Sequence, residues 1–328
     1  MSDLEIYGTL GPSCHDQEII TKLFEVGMTG IRLNLSHCNL WDKKDWLDAY
    51  HQASQHLSFK PDLLIDMKGP ELRLGDMDEI VYFPKGSTVV FSSIYWPKEI
   101  VSALQEGDDI LYDDGKLEFH VKEIRDVFIH CVVSRRGYMY SRKSIAIKGK
   151  SITGPTLQDL DIQNLLRAKE YGVTGLMQPF VRSASDLIEV RKILNENNLS
   201  DLKVYAKIEN LEGVHHLEEI IPLANHIVIA RGDLGNAVGL VKLPIIQKQI
   251  EDTCKKYHKP YMVVTEMLAS MIENEVPTRA EVSDIFHAVY NGASSIMLTG
   301  ETANGKHPIE AMTYFVNTAL EAKKCKEA

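Results

Sequence analysis

Apolar residues recur along this chain in short continuous runs, separated by stretches of helical period. Eight runs read as strands: Leu4 to Thr9, Gly30 to Leu35, Asp62 to Asp66, Thr174 to Gln178, Lys203 to Ile208, His226 to Ala230, Pro260 to Thr265 and Ser294 to Leu298. Runs such as His226-Ile-Val-Ile-Ala230 and Pro260-Tyr-Met-Val-Val264 do not alternate, as expected of parallel strands buried on both faces. Helix patterns such as Asp159 to Tyr171 and Ser185 to Asn195 lie between them. Successive strand starts differ by 26, 32, 112, 29, 23, 34 and 34 residues, so one of the seven connections is far too long for a single β/α unit. Allowing roughly 30 residues for a normal repeat, that step holds an insertion of about 80. Eight β/α repeats predict an α/β protein of the (β/α)8 TIM-barrel class rather than an open doubly wound sheet.

The insertion reads differently. From Leu74 to Thr153 polar and apolar positions alternate, as in Lys116-Leu-Glu-Phe-His-Val121 and Val127-Phe-Ile-His-Cys-Val-Val133, with turn chemistry at Asp113-Asp114-Gly115. A small all-β module inserted after strand three is the expectation, so residues 1–73 and 154–328 form the barrel and 74–153 the insert. The Lys-rich stretch at Lys323, Lys324 and Lys326 suits a helix C-terminus.

Composition narrows the class of partner. Hydrophobic residues at 44% and charged residues at 25% lie near globular averages, which disfavours disordered, collagenous and coiled-coil classes. Thirty-six basic and 46 acidic residues give a formal charge of −10, which opposes broad binding to nucleic acid or an anionic membrane. The five cysteines (Cys14, Cys38, Cys131, Cys254, Cys325) are widely spaced, with no Cys-x-x-Cys pair, and fit reduced thiols in a cytoplasmic protein. Residues Met1 to Gly8 carry Asp3 and Glu5 and no apolar h-region, and nowhere do 18 apolar residues run together, so neither a secretion signal nor a membrane span is expected.

In a barrel of this kind the chemistry collects at the C-terminal ends of the strands. Those ends read Arg32-Leu-Asn34-Leu-Ser36-His37, Asp66-Met67-Lys68-Gly69-Pro70-Glu71-Leu72-Arg73, Lys207-Ile-Glu209-Asn210, Arg231-Gly-Asp233-Leu-Gly235, Thr265-Glu266 and Thr299-Gly-Glu301-Thr302. Glu209 and Asp233 offer a partial oxygen shell for Mg²⁺, which takes one or two protein carboxylates and completes its shell with waters and substrate oxygens. Arg32, Arg73 and Lys207 can hold a phosphorylated anion, and the Gly232 to Gly235 turn lets backbone N–H groups approach it. Metal, cations and amides together suggest phosphoryl or enolate chemistry.

Each element also has a structural reading. Lys207 and Glu209 can be a strand-end salt bridge, Asp233 an N-terminal helix cap, Asn34 and Ser36 caps of the next helix, and Asp66 a buried carboxylate bonded to backbone. Their convergence on one rim favours a site. Gly300-Glu-Thr-Ala-Asn-Gly305-Lys306-His307 nearly matches a phosphate-binding loop, but His307 stands where the Mg²⁺-ligating hydroxyl belongs. No G-x-G-x-x-G occurs, which disfavours a dinucleotide dehydrogenase.

Seven motifs in order, Thr9-Leu-Gly-Pro12, Gly27-Met-Thr-Gly-Ile-Arg-Leu-Asn-Leu-Ser-His37, Asp66-Met-Lys-Gly-Pro-Glu-Leu-Arg73, Lys207-Ile-Glu-Asn210, Ala230-Arg-Gly-Asp-Leu-Gly235, Pro277-Thr-Arg-Ala-Glu281 and Met297-Leu-Thr-Gly-Glu-Thr-Ala303, resemble the pyruvate kinase family across nearly the whole chain. The resemblance implies a (β/α)8 barrel with a β-rich lid after strand three. It implies phosphoryl transfer between phosphoenolpyruvate and ADP, giving pyruvate and ATP through an enolate stabilised by Mg²⁺ or Mn²⁺. By the same resemblance Glu209 and Asp233 bind the divalent metal, and Lys207 stabilises the moving phosphoryl group. Arg32 holds phosphate, and Gly232, Asp233 and Thr265 contact substrate. Asn34, Ser36, Asp66 and the carbonyl of Met67 match a K⁺ site. Asn34, His37, Arg73 and Lys148 match nucleotide positions.

The family's usual C-terminal domain has no counterpart here, so its sugar-phosphate site and subunit contacts are expected to be absent, leaving self-association through the barrel open. Departures are Met67 for Thr, Glu266 for Gln, Cys38 for Gly and Thr299 for Ser, while Glu71 resembles the acid of K⁺-dependent members. Glu266 beside an anionic substrate would add about 1 kcal/mol or more of repulsion. With Cys38 and the missing domain it motivates the alternatives of an aldolase, lyase, decarboxylase or specialised kinase acting on a pyruvate-like 2-oxo acid; a non-catalytic family member is the third reading.

Overall fold

The computed structural model describes residues 4–327 except 37, 71, 114, 142, 151 and 153. The chain starts with β1 (Glu5–Leu10), β2 (Gly30–Asn34) and β3 (Asp62–Asp66). Seven strands of the insert follow: β4 (Val81–Phe83), β5 (Thr88–Ser92), β6 (Asp109–Tyr112), β7 (Leu117–Arg125), β8 (Phe128–Arg135), β9 (Gly137–Met139) and β10 (Ile145–Ile147). Then come β11 (Gly175–Gln178), β12 (Lys203–Ile208), β13 (His226–Ala230), β14 (Tyr261–Val264) and β15 (Ser295–Met297).

The eight strands β1, β2, β3 and β11 to β15 close into a parallel barrel, with β1 paired to both β2 and β15. Closure rests on alternation, because each strand sends every second side chain inward. Tyr7, Leu64, Met177, Tyr205, Val228, Ala230, Met262, Val264 and Met297 fill the barrel interior. The intervening residues, among them Ile31, Leu33, Leu63, Ile65, Val204 and Ala206, face the surrounding helices and join the larger core.

The helices start at legible caps. Asp16 accepts from Ile19 N–H at 2.9 Å ahead of helix Gln17–Glu25. Thr278 and Glu281 form a reciprocal box ahead of Arg279–Tyr290, and Asn210 accepts from Gly213 N–H at 2.7 Å ahead of Leu211–His215. The Pro277-Thr-Arg-Ala-Glu281 motif and the last residue of Lys207-Ile-Glu-Asn210 thus do structural work. Gly11 is required sterically, since a Cβ there would lie 2.4 Å from the carbonyl oxygen of Ala303.

The insert forms an antiparallel five-stranded sheet in the order β10-β6-β7-β8-β5 and a two-stranded ribbon of β4 and β9. Alternation in β7 and β8 puts Phe119, Val121, Ile129, Cys131 and Val133 into a separate core, where Phe119 meets Phe83 and Phe91 edge-on. The turn around Asp113 and Gly115 has both residues at positive φ (46° and 77°), and Asp114 lies outside the described residues. This turn reaches the barrel, where a Cβ on Gly115 would meet Asn236 Oδ1 at 3.1 Å.

Candidate active site

The inward column of each strand turns from apolar to charged at its C-terminal end. On β12 Tyr205 and Lys207 share a face, on β3 Leu64 and Asp66, and on β1 Tyr7 and Thr9. Arg32 occupies the matching layer of β2, opposite Thr9 on one side and Leu64 on the other. Arg32 and Lys207 therefore lie within their strands and not beyond the ends, as the mouth of the barrel had been expected to place them.

These residues form one network. Arg32 donates to Asp66 Oδ2 through Nε at 3.1 Å and Nη2 at 2.6 Å, and through Nη1 to Thr9 Oγ1 at 3.3 Å. Lys207 Nζ lies 3.2 Å from Asp66 Oδ2 and 3.0 Å from Glu209 Oε1. Glu209 Oε2 accepts from Phe180 N–H at 2.7 Å. Asp66 and Glu209 are each 2% exposed, so their charges are held by partners and not by water. Asp66 bonds to side-chain cations as well as sitting buried, which displaces the reading of it as a carboxylate tied to backbone.

Electrostatics follow from this packing. Burial works against charge on Asp66, but Lys207 and Arg32 outweigh it and hold the carboxyl below its ordinary range. Burial likewise opposes the Lys207 ammonium, and Asp66 and Glu209 outweigh it, so the amine stays protonated with its pKa raised. Glu209 is pushed up by burial, against the pull of Lys207.

Glu209 and Asp233 line a common cleft of ≈ 330 Å³ between barrel and insert, together with Lys148, Phe180 and Arg182. Two hard carboxylates in an open cleft fit a divalent ion that completes its shell with water or substrate oxygens. Among the described residues no group of three or more His, Cys, Asp or Glu could hold a metal, so no all-protein cage competes with this reading. Asp233 sits in the first turn of helix Arg231–Val238, whose N-cap is Ala230.

Thr265 follows β14 in left-handed backbone, φ 71°, and Glu266 repeats it at 52°. A β-branched residue held there costs about 1–3 kcal/mol, so the surroundings must impose it. Thr265 Oγ1 donates to the Val264 carbonyl at 2.5 Å and accepts from Gly232 N–H at 2.9 Å, joining the ends of β13 and β14.

The remaining expected residues are more scattered. Asn34 ends β2, and its Oδ1 accepts from Ser36 N–H at 3.1 Å. The Met67 side chain is buried in the core, leaving only its backbone for an ion. Arg73 forms an isolated bridge with Ser144 at the root of the insert and is not among the cleft-lining residues. Lys148 lines the cleft but pairs with Glu118 at 3.2 Å. His37 and Glu71 lie outside the described residues.

Two expectations about charge change. Glu266 is exposed and lines a second cavity of ≈ 410 Å³, with Gln247, Lys248, Glu251 and Asp284, not the cleft holding Glu209 and Asp233. That removes Glu266 from the motives for a retuned 2-oxo acid site. The near phosphate-binding loop is instead a helical turn, Gly300–Ala303, followed by Lys306 paired with Glu273 at 2.5 Å. Glu301 is buried and accepts from Leu268 and Thr299 N–H groups, a bracing role that its position in the sequence did not reveal.

Fold and network together define a class: (β/α)8 barrels with an antiparallel module after the third strand and a charged C-terminal mouth. The chain belongs to the pyruvate kinase family, its residues 1–312 matching the family model described as pyruvate kinase, barrel domain. It is 33% identical over 342 residues to a pyruvate kinase of Staphylococcus haemolyticus, covering 100% of this chain and 58% of that protein. A pyruvate kinase of Sporosarcina psychrophila is 35% identical over 335 residues, covering 98% and 57%. One of Clostridium acetobutylicum is 33% identical over 336 residues, covering 98% and 71%. The chain thus spans less than three-fifths of the length of the first two relatives.

Proposed function

We propose that this protein transfers the phosphoryl group of phosphoenolpyruvate to ADP, giving pyruvate and ATP. The observation that carries the reading is the nearly buried Lys207 ammonium, held between Asp66 and Glu209 with Arg32 paired to Asp66, in a network that reaches through Glu209 into the cleft that Asp233 also lines. Phosphoryl transfer asks a site mainly for position and for positive charge on the moving group. In the reaction the enol-phosphate P–O bond breaks, a P–O bond to the terminal ADP oxygen forms, and the enol carbon takes a proton from solvent.

Lys207 would face the moving group and the oxygen it leaves, and Arg32 would hold phosphate. Asp66 keeps both cations charged and aimed. Glu209 and Asp233 would hold Mg²⁺ or Mn²⁺, which when bound supplies Lewis-acid compensation of phosphoryl charge. The Thr265 hydroxyl, its proton committed to Val264, would meet substrate or water as an acceptor. Lys148 would leave Glu118 to reach the nucleotide, joined by Arg73, Asn34 and His37. For K⁺ the donors would be Asn34, Ser36, Asp66 and the Met67 carbonyl. Because Asp66 already answers two cations, this is a weaker set than the divalent one, and turnover with and without K⁺ decides it.

Self-association through the barrel is supported by the exposure of Leu240, Val241 and Ile245. Residence in the cytoplasm is consistent with the described residues, in which no helix is long and apolar enough to cross a membrane.

The test is ADP-dependent pyruvate formation from phosphoenolpyruvate with Mg²⁺, in the natural protein and in Lys207→Met. Turnover in the former and a fall on the order of 10²–10³ or more in the latter is expected. Because Lys207 neutralises two buried carboxylates, the variant is compared at a temperature where circular dichroism shows it folded. No turnover by the natural protein, or near-normal turnover by the variant, overturns the reading.

A further inference from the structure

Arg231 belongs to a strand-end motif expected at the mouth, but its side chain turns to the residues after β14 and to a neighbouring helix. From the first residue of helix Arg231–Val238 its guanidinium grips the residue that follows β14. Nε and Nη2 donate to the Thr265 carbonyl at 3.2 and 2.7 Å, Nη1 donates to Asp284 Oδ2 at 2.6 Å, and Nη2 also lies 2.9 Å from Met267 Sδ. Its side chain is 11% exposed, so this fork is fixed by packing as well as by its bonds. Asp284 comes from the middle of helix Arg279–Tyr290, a rigid element anchored by the Thr278–Glu281 box.

The carbonyl gripped is that of a residue in left-handed backbone, followed by another, neither of them glycine. Such a pair persists only where its surroundings over-determine it. A planar fork that binds one carbonyl twice, while its other edge is tied to a carboxylate, fixes direction as well as distance. On the side chain of the same residue the Thr265 hydroxyl accepts from Gly232 N–H, one residue from Asp233.

We propose that Arg231, oriented by Asp284, is a positioning residue that imposes the left-handed Thr265–Glu266 turn and so aims the Thr265 hydroxyl at the substrate side of the mouth. The role of that hydroxyl in turnover rests on the phosphoryl-transfer reading above; the clamp itself does not. A guanidinium is required, because a lysine ammonium cannot hold the carbonyl and Asp284 in one plane.

The test is a double-mutant cycle of Arg231→Met and Thr265→Val, with Arg231→Lys and Asp284→Asn alongside, read by kinetics and by amide exchange at Gly232. Arg231→Met is expected to lower kcat about 10²-fold, the scale of an ångström misplacement, with KM for phosphoenolpyruvate changed less than about threefold. In the Thr265→Val background the same change should add nothing. Gly232 amide exchange should quicken about tenfold or more in Arg231→Met and Arg231→Lys, and less in Asp284→Asn, while Ile229 on β13 keeps its protection. Equal losses in both backgrounds, or unchanged Gly232 exchange, overturn the proposal. Should Arg231→Met fail to fold, Asp284→Asn, which keeps the shape and removes one charge, carries the same readouts. If the natural protein shows no phosphoryl transfer, the functional reading fails and the Gly232 exchange alone decides the clamp.

Discussion

Asp66→Asn takes one charge from the centre of the site and should register as lost stability before any assay of turnover. In the natural protein Arg32 and Lys207 face Asp66 and Glu209, so the local sum is zero, and the three ion pairs run from 2.6 to 3.2 Å. At an effective dielectric of about 20, a pair some 3 Å apart attracts by about 5 kcal/mol, most of which offsets the loss of hydration on burial. After the substitution the sum is +1. The amide also turns an NH₂ towards one of two cations that already lack water, and one-sided removal of a buried partner costs about 3–5 kcal/mol. Urea unfolding at neutral pH, compared at equal slope, measures the loss directly. The control is Asp48→Asn, which breaks the exposed Lys44–Asp48 pair and should leave the midpoint in place. A loss below about 1 kcal/mol for Asp66→Asn would refute the view that the four charges are mutually dependent.

Two other predictions concern the frame around the site. Gly11→Ala would put a methyl carbon 2.4 Å from the Ala303 carbonyl oxygen and 2.6 Å from its Cα, so backbone must shift; a loss of about 1–3 kcal/mol is expected in thermal or urea unfolding, and an unchanged midpoint would show the loop free to move. His226, stacked on Tyr205, has its pKa lowered to about 4 from an ordinary 6.5, chiefly by burial and then by Lys203, against Asp62. The unfolded chain therefore takes the proton first: the contribution is fully present above pH 6.5, is lost as pH falls towards about 4, and reaches about 3 kcal/mol. His226→Gln should flatten stability against pH over that window, and an unaltered slope would contradict the assignment.

Much of this was legible in the sequence, for a physical reason. A parallel strand covered on both faces has to be apolar almost throughout, so the eight runs fell within a residue or two of β1 to β3 and β11 to β15. The insert was legible because one face of β7 and β8 is solvated and the pattern alternates. Charged residues at strand ends pointed to the mouth, and Arg32, Asp66, Lys207 and Glu209 do meet. What did not show was direction. Glu266 follows a residue in left-handed backbone, and because neither position is glycine nothing in the letters announced the turn that sends Glu266 to the outer cavity. The fork made by Arg231 was hidden for the same reason, since its partner carbonyl is in place only once that turn has formed. Thr9 could have been found by counting two residues along the inward column from Tyr7.

The closure of the barrel sets an order of events for a ribosome-bound chain. Arg32 leans on the Thr9 hydroxyl, which donates to the Leu298 carbonyl, and Thr9 N–H donates to Thr302 Oγ1 across 293 residues of sequence. At about 5–20 residues per second, β1 waits roughly 15–60 s for its second neighbour. By the end of that interval seven strands can form only an open sheet, whose first and last members display unpaired edges. The charged layer, built on β1, β2, β3 and β12, lacks the Thr9–Leu298 and Thr9–Thr302 bonds until β15 docks. The nascent protein thus carries unpaired sheet edges for an interval that translation speed sets, and the pairing that seals the sheet also completes the charged layer.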